Sequence, residues 1–405
     1  MIRRLYSCFM LVVVGSTALA AEARQDKPMN PVVSGNTAFA IDLYAKLRGG
    51  SKGNLFFSPQ SISSALAMTV AGAKGTTEAQ MLKALHLDLP RGELHRAFGS
   101  LLKDLKSRGK DAGYRLGIAD RLWGQRGYEF LPDFLALTRD EYDAELAQLE
   151  FEKDPEGSQR TINAWVADQT EGKIKNLIPS PLSTNTRLVL TDAVYFKAAW
   201  ADPFNASSTR DDKFHLGGGE DVDAKLMHRT GTYKVGSGDG IKALEIGYKS
   251  GAMSMIVLLP DEVDGLTALE ARLTSENLNR WISGLQPRRV ALAFPRFKST
   301  SHVDLIAPAK ALGISDAFEP DKADFSGING KHDLFISDAI HQAFVDVTEE
   351  GTEAAAATAI AVGARAAAIT APPIPFRADH PFIYLIRDNA TGSILFLGRL
   401  MNPQG

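Results

Sequence analysis

Between Glu349 and Ala368 the chain reads EEGTEAAAATAIAVGARAAA, a run of small residues with one basic side chain, Arg365, near its far end. Few packed structures can be built from such a segment. Strong helix formers dominate it, yet Gly351 and Gly363 interrupt it and no apolar stripe recurs at helical spacing. Alternation fits better. Thr352, Ala354, Ala356, Thr358, Ile360, Val362 and Ala364 share one face of an extended strand, and Glu353, Ala355, Ala357, Ala359 and Ala361 the other. The first face holds no charge, so it can enter a sheet without burying an unpaired ion. Composition alone leaves an alanine-rich linker or a surface helix open.

The flanking sequence decides among these. A strand-like segment, HQAFVDVTEEG, leads into the run, and PPIPFRADHPFIYLIRDNATGSILFLGRLMNP follows it. With the wording EEGTEAAAAT and the separation of these phrases, the region resembles the reactive loop of the serpins, serine-protease inhibitors that act once and are consumed. The resemblance runs from about Asn36 to the C-terminus. It implies an α+β serpin fold, one large domain over residues 36–405, with three β-sheets, about nine helices and an exposed reactive-centre loop at about 349–371. Missing linkers and repeats in the middle of the chain agree with one domain.

The resemblance also assigns roles. The hinge of the loop is Glu349, Glu350, Gly351, Thr352, Glu353, Ala354, Ala355, Ala356, Ala357 and Thr358. Trp200, Arg296 and Glu349 mark where the loop enters the main sheet, with Arg296 and Glu349 paired. Asn54, Ser58, Ser61, Asp192 and His341 control the opening of the sheet. The family's usual asparagine is here Asp192. If pairing dominates, an Asp–His pair is ionic and the His341 pKa rises above its ordinary value of about 6.5; burial opposes that.

A trypsin-like protease needs a basic residue just before the cut, because an acidic group in its pocket pairs with it. Arg365 lies sixteen places beyond Glu349 and is the only basic residue between Glu349 and Ala371. The family usually has its cleaved bond there, so the expected scissile bond is Arg365-Ala366, and a second protease could cut near Ile369. The expected partners are trypsin-like serine proteases, held covalently by a monomer without cofactor, metal, nucleic acid or membrane. A non-inhibitory serpin (substrate, carrier or chaperone) is the alternative.

Residues 1–20 read as a secretory signal: Arg3 and Arg4, an apolar stretch from Phe9 to Val14, then Ala18-Leu19-Ala20 before the cut. Residues 21–35 are expected to be a flexible lead-in. Cleavage after Ala20 removes Cys8, the single cysteine, so an exported product, secreted or periplasmic and bacterial-like in kind, is stabilised by packing alone. The whole sequence has a formal net charge of −3, which argues against general nucleic-acid binding. Lys103, Lys106, Arg108 and Lys110 form a sparse basic run, read as a solvated helix face. The chain has no G-x-S-x-G, H-E-x-x-H or GxxxxGK[ST] signature. An enzyme reading therefore rests on a dispersed Ser-His-Asp site, to which nothing points.

Overall fold

The computed structural model describes residues 30–352 and 371–405, without the side chains of residues 110–112. Its frame is the strand Leu188–Ala199, here called the central strand. Leu188, Leu190, Val194 and Phe196 enter the larger apolar core, while Val189 and Ala193 enter a smaller one on the opposite face. A strand covered on both faces needs apolar residues at successive positions, which is what its sequence supplies. Each such side chain, fully buried, contributes about 1.5–3 kcal/mol.

The central strand lies within a six-stranded main sheet. The order is Phe297–Asp304, Ile336–Val347, Gly351–Thr352, Leu188–Ala199, Tyr114–Gln125 and Ala147–Leu149. Ile336–Val347, the feeder strand, runs directly into the hinge. Beneath the sheet lies the helix Pro59–Val70, every residue of which is buried. Ser58 caps it, accepting from Ser61 N, and Pro59 fills its first turn. Ser64 and Thr69 return their hydroxyls to carbonyls one turn back. Ser61 sends its hydroxyl into the sheet. Over the other face packs the helix Pro155–Gln169, through Ile162 and Val166.

A second hydrogen-bonded network contains nine strands. It joins the expected second and third sheets, because the long strand Glu220–Gly238 pairs along its length with several partners. The described residues form ten α-helices, close to the expectation. None is long and apolar enough to cross a membrane.

The expected lead-in is too long. A helix already runs over Pro31–Gly50, with Asn30 accepting from Val32 N and proline in the first turn. Val32 and Val33 are fully buried, and that burial fixes the earlier start. Asp143 and Asp388 neutralise Lys106 and Arg108, and Lys103 donates to Asp140 O. Lys103, Lys106 and Arg108 on the helix Arg91–Ala112 are thus tied down locally.

Candidate functional site

The loop begins as a wedge. After the feeder strand ends at Val347, the chain turns through Thr348–Gly351, with Thr348 N donating to Gly351 O at 2.9 Å. Gly351 and Thr352 then pair antiparallel with Ala199 and Ala198 of the central strand. They also meet the feeder strand at Val347↔Thr352. Only glycine fits the first position, since a Cβ on Gly351 would stand 2.2 Å from Ala198 O and 2.7 Å from Ala199 Cα. Thr352 is fully buried and shares a 2.7 Å hydrogen bond with Tyr248 OH. Its burial agrees with the inward face read from sequence; Glu353, Ala354, Ala355, Ala356, Ala357, Thr358, Arg365, Ala366 and Ile369 lie outside the described residues.

Three successive hinge carbonyls are held. Trp200 donates from Nε1 to Thr348 O and from its backbone to Glu350 O, both at 2.9 Å, and Phe204 N donates to Glu349 O at 2.8 Å. Trp200 is buried and stacks on Tyr248 with centroids 4.7 Å apart. The Arg296–Glu349 pair exists, but loosely, at 3.5 Å with the arginine side chain 47 % exposed. Thr209 makes the shorter bond to Glu349, 2.7 Å from hydroxyl to Oε1. Sequence reading missed Thr209 and Tyr248, which carry no local signal.

Below the wedge the feeder and central strands pair directly and in parallel, from Ile336↔Leu188 to Phe344↔Tyr195. An added strand can enter only where this ladder parts. At its middle His341 faces Asp192, and Asp192 faces Asp120 on the strand Tyr114–Gln125. Ser61 Oγ lies 2.8 Å from both Asp120 Oδ1 and Asp192 Oδ1. Ser58 N donates to His341 Nε2 at 3.1 Å, and Ser58 Oγ donates to Leu395 O at 2.7 Å.

These contacts fix the state of the histidine. A ring nitrogen that accepts a backbone N–H is unprotonated, so His341 is neutral with its proton on Nδ1. Burial, opposed by the charge of Asp120, pushes its pKa down to about 3. Nδ1 is 3.2 Å from Asp192 Oδ1, but the N–H is not aimed to make a hydrogen bond. The ionic pair with a raised histidine pKa is therefore corrected to a neutral one, because desolvation outweighs attraction at a fully buried site. Asn54 stands apart from the group. It clamps the C-terminal segment, donating to Asn402 O and accepting from Met401 N and Asn402 N. Asp120 was missed, although alternation with Ile118 and Leu122 sets it on the inner face.

Among the described residues no group of three or more His, Cys, Asp or Glu could hold a metal. What the arrangement offers is a mechanical site, a pinned hinge above a ladder that can part.

The family profile described as "Serpin (serine protease inhibitor)" matches residues 34–403. The leukocyte elastase inhibitor of Bos taurus is 44% identical over 386 residues, covering 93% of this chain and 100% of that protein. The leukocyte elastase inhibitor of Homo sapiens is 42% identical over 385 residues, with the same coverage. Uncleaved ovalbumin superposes with a TM-score of 0.82 at 31% identity, covering 92% of this chain and 100% of that one. Mammalian relatives of this kind lend no support to a bacterial-like member. The pinned hinge, the parting ladder and these matches agree: the chain belongs to the serpin family.

Proposed function

We propose that the protein is a suicide inhibitor of trypsin-like serine proteases, cleaved at Arg365-Ala366. The protease attacks this bond as it would a substrate, its serine forming an acyl-enzyme with Arg365 and releasing the amine of Ala366. The freed loop then enters between the feeder and central strands as an added strand, carrying the protease along before water can hydrolyse the ester. The observation that carries the reading is the wedge: Gly351 and Thr352 already pair between these two strands. Continuing their register would exchange the parallel ladder below for two antiparallel ones. The form before cleavage is then held by a barrier rather than by equilibrium.

Specificity has a second reading. Two of the similar proteins bear the name leukocyte elastase inhibitor. The loop also carries alanines and Ile369 that an elastase-like enzyme would take in place of Arg365. Mixing the protein with trypsin, and separately with an elastase, at equal molarity tests both. The expected result is a detergent-stable adduct with trypsin and a C-terminal fragment starting at Ala366. An adduct with elastase alone would overturn the trypsin-like assignment, and cleavage by either without an adduct would make the protein a substrate.

We also propose export, with removal of residues 1–20. N-terminal sequencing of the protein from its host should begin at Ala21, and retention of Met1 would refute this.

A further inference from the structure

At the centre of the main sheet the geometry favours a proton that no ordinary carboxylate would keep. A serine hydroxyl carries one hydrogen and can donate along only one of two contacts. Ser61 Oγ nevertheless sits 2.8 Å from a carboxylate oxygen on each of two adjacent strands, Asp120 and Asp192. The second contact is a full two-centre hydrogen bond only if the carboxyl there is protonated and donates to the serine oxygen; otherwise the two carboxylates split one weakened bond. Asp192 is fully buried, and no donor among the described residues reaches its Oδ2. An ionised carboxylate in that position would be severely destabilised.

We propose that Asp120 and Asp192 share a proton through Ser61, and that this proton latches the main sheet against parting, so that the latch weakens as the pH rises. Burial first, and then the neighbouring Asp192, push Asp120 well above the carboxylate range. Burial pushes Asp192 up to about 7, against the hydrogen bonds from Ser61 and Asp120. Few other charges face the pair. The helix Pro59–Val70 supplies none, and the feeder strand supplies His341, which is neutral. The strand Phe297–Asp304 sets Val303 against His341. The helix Arg91–Ala112 supplies Lys106, whose ammonium favours ionised Asp120 but is held 2.8 Å from Asp143.

Parting the sheet brings the carboxyls to water, where their pKa returns to about 4 and the proton leaves. The closed state holds a proton that the opened state has lost. The opening rate therefore rises with pH, by up to about tenfold per unit, and levels off once the closed state ionises too. The loss of latching above neutrality would shorten the life of the uncleaved form. The inference rests on the inhibitory reading only for that consequence, since the test reads the sheet alone.

The test follows the heat-induced opening rate of the full chain between pH 6.5 and 8.5, with the double variant as the baseline for exposed histidines, which titrate at the lower end of this range. Wild type should accelerate at least about fourfold over this range, and the Asp120→Asn/Asp192→Asn double variant should stay flat. Equal acceleration in both proteins would overturn the latch. Infrared spectra need no variant. The carbonyl stretch of a buried protonated carboxyl, moved by exchange into heavy water, should be present at pH 6.5 and fade by pH 8.5. Its absence from folded wild type at pH 6.5 would also overturn the proposal. Trapping of trypsin can fail without affecting either measurement.

Discussion

The two ends of the path that an added strand would follow are held by different physics. At the top, the carbonyls of Thr348, Glu349 and Glu350 each accept from a backbone or indole N–H, and Thr352 and Tyr248 satisfy each other's hydroxyls. No proton change is involved in these hinge bonds. In the centre, Asp120, Asp192, Ser61 and His341 converge, and Asp192 Oδ2 and His341 Nδ1 are left without hydrogen-bond partners among the described residues. The mouth is held chiefly by backbone and indole N–H groups that carry no titrating proton, whereas the centre is held by protons. A barrier placed in the centre can be tuned without loosening the hinge that starts the loop in register.

Six substitutions, in five variants, would break or sharpen this contrast. The largest effect is expected from Trp200→Ala, which removes the stack on Tyr248 and the donor to Thr348. It should destabilise by about 3–5 kcal/mol, read as a lower urea midpoint of the first transition at every pH. A loss that varied with pH would break the contrast. Next, Gly351→Ala drives a methyl into the backbone of Ala198 and Ala199. Overpacking of this kind costs about 1–3 kcal/mol, and backbone cannot yield as a side chain can. The wedge should be expelled and proteolysis of the hinge should accelerate; an unchanged cleavage rate would show that the wedge does not matter.

The third concerns acid. His341, at about 3 when folded against about 6.5 unfolded, contributes stability that is present above the unfolded value and lost as the pH falls toward the folded one. The raised carboxyl pair acts in the opposite sense, its contribution fully present below about 4 and lost as the pH rises through its folded value. Between pH 4.5 and 6 the two slopes offset each other. Asp120→Asn/Asp192→Asn leaves the histidine slope alone, so this variant should lose up to about 1.4 kcal/mol more than wild type per unit of acidification. Parallel denaturation curves over this range would remove the coupling. The smallest effect is expected from Arg296→Ala, under about 1 kcal/mol because the pair is long and the arginine half-exposed. Thr209→Val, which cuts the shorter bond to Glu349, should cost at least as much in thermal midpoint. A larger loss from Arg296→Ala would restore the ion pair as the principal restraint.

Much of this was written locally. The alternating small residues that start at Thr352, the apolar run of the central strand and the Ser58-Pro59 helix start are patterns within a few residues, and the first described residues of each behave as the patterns require. Local signals also misled. Asn30 and Pro31 begin a helix inside a stretch that reads as polar lead-in, because Val32 and Val33 find a core that their neighbours in sequence do not reveal.

The order of residues was enough to specify the strand-forming alternation, the capped buried helix and the glycine at the hinge, because propensity and side-chain period act between near neighbours. It could not specify what His341 and Asp192 do to each other. Whether an Asp–His contact is ionic or neutral depends on how completely water is excluded and on what else reaches the same few ångströms. Asp120, Ser61, Asp192 and His341 come from four separate elements and meet only through strand register and helix docking. That convergence, and the desolvation that comes with it, sets the sign of their protonation.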